Sequence, residues 1–216
     1  MSEFFGVFTQ PEFPTLLRQH VVLSALALLI AVAIALPVAI LVRNTPVGSA
    51  IAINVGNVGR AVPSLALLAF ALPLFGVGFA PALVALTALA VPPILINAST
   101  GLREVGREVI DAARGMGLSG SQILAGVQLP IAAPVIFAGL RTAAVQVVAS
   151  ATLATFIGGG GLGDLIVQGF QRGGPTLVAG ALSVAVLAIL TEIFFGGLER
   201  AFTPRGLKIA RGRRAK

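Results

Sequence analysis

Chemistry has few places to happen in this chain. Its 216 residues include no cysteine and a single histidine, His20. A disulfide framework and a thiol-ligated metal are therefore excluded, and one imidazole makes no cluster by itself. Two ionisable residues, Arg141 and Glu192, fall within long apolar runs. An isolated charge at such depth is costly, so the pair is expected to face the protein interior and meet, although long side chains near a span end can also snorkel to the interface. The run GGGGLGD at 158–164 has the glycines of a phosphate-binding loop. It lacks the Lys-Ser/Thr that reaches phosphate and magnesium, so no nucleotide is expected there. Its glycines suit a turn between spans, or a gate or receptor-contact loop that needs close backbone approach, with Gly160 and Asp164 as candidate positions. No catalytic set, metal site or cofactor site is expected anywhere in the sequence.

The elements that must position these groups are membrane spans. The mean hydropathy is +0.99. Apolar residues make up 56% of the chain before its 26 glycines are counted, and only 11% is charged. Soluble domains hold about 45–50% apolar residues on a count that already includes glycine. A crossing of the roughly 30 Å hydrocarbon core needs about 20 mostly apolar residues. Five runs qualify or come close: Val21 to Val42, Ala61 to Phe75, Pro81 to Ile96, Ile131 to Ile157 and Leu177 to Phe195. Glu3 and Glu12 precede the first run, unlike the basic leader of a signal peptide, so it is expected to be retained. Of the 15 basic residues, 12 lie in the first connection, the third connection and the tail. By the positive-inside rule those segments are cytoplasmic, which places the N-terminus outside and the C-terminus inside. The net charge of +7 thus reads as topology and not as a nucleic-acid footprint.

The third connection is then the anomaly. Residues 111–130, DAARGMGLSGSQILAGVQLP, are polar and glycine-punctuated between two apolar runs. Upstream, Leu102, Val105, Val109, Ala112 and Met116 recur at three- and four-residue steps, which predicts one apolar stripe on a helix. Glu104, Arg107, Glu108 and Asp111 occupy other faces, with Arg107 and Asp111 at i,i+4 spacing. Gly117 falls where a left-handed C-terminal cap belongs, and Ser119 with Gln122 has capping-box spacing for a second helix. The product is a helix, a glycine turn and another helix beneath the membrane. A lipid-surface helix is usually rich in Lys and Arg on its polar face. This face mixes acids with bases, which suits a protein groove.

These residues resemble the cytoplasmic signature of ABC importer permeases. Asp111-Ala112-Ala113, then Gly117, then Val127-Gln128-Leu129-Pro130 reproduce its spacing, with Asp for the usual Glu and Val for Ile. Val62-Pro63-Ser64-Leu65-Ala66-Leu67, Gly76-Val77-Gly78, Pro93 with Asn97 and Thr100-Gly101, and Ile157 to Asp164 are similar to permeases for glycine betaine, choline and carnitine. The likeness runs from about residue 20 to 200, and methionine permeases share part of it. It implies an all-α, five-span bundle of the type I ABC importer, methionine-permease-like class. Residues 1–20 would be an extracytoplasmic segment, 21–200 the transmembrane domain with a coupling segment at 98–130, and 201–216 a basic cytoplasmic tail. It implies docking of Asp111, Ala112, Ala113, Gly117, Val127, Leu129, Pro130, Val109 and Met116 on an ATPase. The implied partners are two ATPase subunits, an extracytoplasmic substrate-binding protein and a second permease copy or homologue. The implied location is a bacterial or archaeal plasma membrane.

Pro63, Ser64, Asn97 and Thr100 join Gly160 and Asp164 as candidate pathway or gate positions, although small polar residues serve helix–helix hydrogen bonds equally well. The aromatics are 13 Phe with no Trp or Tyr. Trp gives the strongest attraction to a quaternary ammonium, so a tight aromatic cage is not expected and capture falls to the binding protein. A secondary transporter would favour inverted repeats and a mid-membrane ionisable site, and a channel would show a filter sequence or a charged ring. The sequence has no repeat or filter, and either reading leaves the coupling signature unexplained.

Overall fold

The computed structural model describes residues 2–203, and the expected basic tail from residue 204 to 216 lies outside the described residues. The described residues are helical with short connections. In order they form α1 (Ser2–Phe8), α2 (Phe13–Val42), α3 (Pro46–Ala61), α4 (Ser64–Phe75), α5 (Phe79–Arg103), α6 (Arg107–Gly115), α7 (Gly120–Ile123), α8 (Leu129–Ser150), α9 (Gly163–Arg172) and α10 (Gly174–Phe202). A π-helical turn, Leu124–Gln128, fuses α7 to α8, and a 3₁₀ stretch, Ala151–Ile157, prolongs α8.

Helix α5 is the axle. Ala82, Ala85, Leu86, Leu89, Ala90, Ile94, Ala98 and Leu102 are buried along it, and it continues through Pro92 and Pro93. Against it lies α2, whose buried stripe Ala27, Ala31, Ala35, Ala39 steps by four residues. Small side chains let two membrane helices approach closely, which stands in for the hydrophobic drive that lipid removes. The same device joins α5 to α8. A Cβ on Gly139 would fall 2.6 Å from Asn97 Cβ and 2.9 Å from the Pro93 carbonyl oxygen, so only glycine fits there. A second apolar cluster, containing Val7, Leu16, Leu162, Leu165, Ala179 and Val184, ties α1 and the start of α2 to α9 and α10.

Two sequence expectations change. The run from Ala61 to Phe75 is not a complete span by itself. Helix α4 has 12 residues, about 18 Å at 1.5 Å per residue, and meets α3 at a 92° bend. Among the described residues four helical segments are long and apolar enough to cross a membrane, or five if the bent pair counts as one. The cause lies at Val62-Pro63. Both take extended backbone angles: Pro63 disfavours helical backbone in the residue before it, which ends α3 at Ala61, and itself stands as the N-cap of α4. The connection after the first span is thus the helix α3. The first span also starts earlier, at Phe13, with Pro14 in its first turn, where a missing N–H costs nothing.

Candidate coupling segment and polar membrane sites

The single stripe expected from Leu102 to Met116 is divided. Helix α5 ends at Arg103, and the chain turns through residues 104–106 before α6 begins. Leu102 and Val105 are buried in the bundle, 1% and 3% exposed. Val109 at 45% and Met116 at 74% point away from it, as does Ala112, while Ala113 packs inward. The periodicity was real across both segments, but a turn separates them. Asp111 pairs with Arg114 at 3.2 Å, a solvated i,i+3 contact, and not with Arg107. Glu108 in the first turn and Arg114 in the last complement the helix dipole.

The turn after α6 is a Schellman motif. The Gly117 N–H donates to the Arg114 carbonyl at 2.9 Å and the Leu118 N–H to the Ala113 carbonyl at 3.2 Å. Gly117 has φ +82°, the left-handed conformation that this motif requires, and open space surrounds the position its Cβ would take. The capping box then forms: the Gln122 N–H donates to Ser119 Oγ at 3.4 Å, and the Ser119 N–H to Gln122 Oε1 at 2.8 Å. Val127, Leu129 and Pro130 do not lie on α6. They are half-buried in the π turn and the first turn of α8, where they aim the return into the bundle.

Between them sits Gln128, which the sequence did not single out. It is 4% exposed and accepts from Arg43 Nε at 3.1 Å, while Arg43 Nη1 donates to the Ile40 carbonyl at 2.6 Å. Arg43 therefore staples the end of α2 to the hairpin. A cleft of about 590 Å³ opens behind α6, lined by Arg43, Arg103, Arg107, Arg114, Asp111 and Gln128 among others.

Arg141 and Glu192 meet. Arg141 Nε donates to Glu192 Oε1 at 2.6 Å, its Nη2 bonds the same oxygen, and its Nη1 lies 3.5 Å from Glu199 Oε2. Glu192, Gly196 and Glu199 share one face of α10, and the guanidinium lies over Gly196. Glu199 is the member that the sequence did not reveal, because it lies past the end of the apolar run.

The six candidate pathway residues are not gathered into one site. Pro63 and Ser64 form the α3–α4 bend. Asn97 Nδ2 donates to the Pro93 carbonyl of its own helix at 2.8 Å, against Gly139. Thr100 is half-buried one turn further along α5. Gly160 and Asp164 lie at the other end of the bundle, since the 158–162 loop abuts the start of α5 through a bond from the Gly78 N–H to the Ile157 carbonyl at 2.7 Å. Asp164 accepts from Thr155 Oγ1.

His20 holds that loop. Fully buried in α2, it accepts from the Leu162 N–H on Nδ1 at 3.3 Å, which leaves the proton on Nε2 to donate to the Val148 carbonyl at 2.9 Å. Gln19 beside it accepts from the Gly161 N–H at 3.2 Å. The only sequence signal was a histidine adjoining a long apolar run, which on its own names no partner.

A bundle of long apolar helices built on α5, with a helical hairpin at one end whose Val109, Ala112 and Met116 are left exposed by its own chain, has the architecture of a multi-pass membrane protein. Its fold matches the permease of an inward-facing MetNI methionine ABC transporter, with a TM-score of 0.78 and 24% identity over 89% of this chain and 96% of that one. The chain belongs to the family described as binding-protein-dependent transport system inner membrane component, which matches residues 27–204. Over 194 residues it is 42% identical to the carnitine transport permease protein OpuCB of Listeria monocytogenes, covering 89% of each. It is 40% identical over 191 residues to the choline transport system permease protein OpuBB of Bacillus subtilis, covering 88% of each. The osmoprotectant import permease protein OsmW of Salmonella typhimurium is 34% identical over 196 residues, covering 88% of this chain and 91% of that protein. This is a multi-pass membrane transport subunit.

Proposed function

We propose that the chain forms the translocation pathway of an ATP-driven importer for a small quaternary ammonium osmoprotectant of the glycine betaine, choline and carnitine type. It performs no covalent chemistry. Two ATPase subunits hydrolyse ATP, a substrate-binding protein delivers the solute, and a second copy or homologue completes the pathway in a bacterial inner membrane. One observation carries this reading: the α6–α7 turn is closed by its own hydrogen bonds yet α6 leaves Val109, Ala112 and Met116 exposed, in a family whose members work with a binding protein. The mixed charges of α6 and its small apolar face suit an ATPase groove. Closing of the ATPases on ATP would shift α6, and the Arg43–Gln128 contact would pass that movement to α2.

The substrate class rests on the carnitine, choline and osmoprotectant relatives, and it is tested in vesicles reconstituted with the ATPase and receptor. Uptake of labelled glycine betaine or choline that needs both ATP and receptor is the expected result. A receptor that binds methionine and neither betaine nor choline would move the solute to the methionine class. The orientation follows from the basic residues, with the α6 hairpin inside and the Gly160 loop outside. Because the chain lacks cysteine, Gly120→Cys should resist an impermeant thiol reagent in intact cells, and Val77→Cys, at an exposed side chain beside the Gly160 loop, should react. Reaction at Gly120→Cys would reverse the topology.

A further inference from the structure

Helix α8 carries a stripe that lipid does not suit. Ala138, Arg141, Thr142, Val145, Gln146 and Ala149 recur at three- and four-residue steps and line one open cleft of about 490 Å³, with Glu192 from α10 on its wall. The opposite face of α8, including Gly139, Ala143 and Val147, is buried in the bundle. Thr142 Oγ1 is satisfied by the Ala138 carbonyl at 3.0 Å. The Gln146 amide has no hydrogen-bond partner among the described residues. In hydrocarbon an unpaired amide and a half-exposed ion pair are both unfavourable, so membrane proteins turn such groups toward protein or a water-filled cavity.

The second observation is electrostatic. One guanidinium serves two carboxylates, Glu192 and Glu199, and the trio carries a formal net charge of −1. Side-chain exposures are 39% for Arg141, 41% for Glu192 and 22% for Glu199, so the cluster is reachable from the cleft. By contrast the outer face of α10 around Ile189 and Ile193, 58% and 65% exposed, is apolar.

We propose that this α8 stripe lines the solute passage, and that Glu192 and Glu199 form a weak way-station for a cationic ammonium head, with Arg141 placed to meet a carboxylate when the solute carries one. A carboxylate pair sharing a single arginine attracts a cation without the aromatic cage that this Phe-only chain lacks, and weak holding suits a site that must release its cargo. The ammonium specificity rests on the substrate reading above, whereas the wet passage rests on the stripe alone.

The test uses the complete importer in vesicles, with Gln146→Cys or Ala149→Cys in the permease and Ile193→Cys as the lipid-facing reference. The probe is a methanethiosulfonate bearing a trimethylammonium group, a permanent cation excluded from hydrocarbon. Labelling of Gln146→Cys and Ala149→Cys at least about tenfold faster than Ile193→Cys, and slowed by saturating glycine betaine, is the expected result. Ala149→Cys is a small-for-small change, so it stands if Gln146→Cys assembles poorly. If neither cysteine reacts in an importer that still carries betaine, the passage lies elsewhere and the inference fails while the function survives. If both react but only methionine protects them, the passage stands and the ammonium assignment falls.

Discussion

Two glycine turns, at opposite ends of α5, use the same residue for opposite purposes. At Gly117 nothing lies within 4 Å of the place a Cβ would occupy, and the only demand is φ +82°. At Gly160 and Gly161 the backbone is also left-handed, but an added Cβ would fall 2.6 Å from Gln19 Oε1 and 3.1 Å from His20 Nδ1. The 158–162 loop is thus finished within its own chain, its Gly161 and Leu162 N–H groups accepted by Gln19 and His20. The α6 turn is finished only as a shape: its backbone bonds are closed and its apolar face is still uncovered. A turn satisfied internally is expected to serve stability. One satisfied in conformation but bare of contacts is expected to serve a partner.

The sharpest way to break this contrast is Gly117→Asp. A side chain there meets no clash, but left-handed backbone costs a non-glycine residue about 1–2 kcal/mol, and the new anion sits at the unfavourable end of the α6 dipole. We expect normal insertion and a melting temperature lower by only a few degrees, with ATP-driven uptake reduced to background. Wild-type uptake would return α6 to the status of a surface hairpin.

At the other turn the expected loss is in folding. His20→Ala removes both bonds between α2, the loop and α8 and strands two buried backbone groups, which costs about 2–4 kcal/mol. Detergent-solubilised protein should unfold at a clearly lower temperature, with His20→Gln intermediate. An unchanged melting curve would show that the loop is not pinned by this residue.

How much of the contrast was legible beforehand depended on whether a feature was local. The left-handed turn at Gly117 and the Ser119–Gln122 box are set by near neighbours, and the sequence anticipated both. The Arg141–Glu192 pair could be anticipated because membrane depth restricts where a charge finds relief. The bend at Val62-Pro63 was missed because hydropathy records how apolar a segment is and not where its axis turns. His20 and Gln128 were missed for another reason. Their partners lie 128 and 85 residues away, and no single-residue pattern announces a long-range hydrogen bond.

A smaller effect sharpens the partner side. Met116→Ala removes part of the exposed stripe, and partial burial of a methionine contributes about 1–2 kcal/mol. ATPase subunits should then bind about tenfold more weakly, with the permease's own stability unchanged; equilibrium binding of the detergent-solubilised components measures both. Smaller still, Ser119→Ala deletes one cap bond worth about 1 kcal/mol. A few-fold drop in ATPase stimulation is expected, since α7 frays while the Schellman turn holds.

The central claim, that α6 is held ready for a second protein, is tested most directly at Met116 itself. A Met116→Cys permease, with no other thiol to confuse the signal, is exposed to a water-soluble maleimide in inside-out vesicles with and without its ATPase subunits. Fast labelling of the permease alone, slowed at least about tenfold once the ATPase is present, is the predicted result for a side chain that passes from open water into a protein groove. Equal labelling rates in the two preparations, with the ATPase demonstrably bound, would contradict the account.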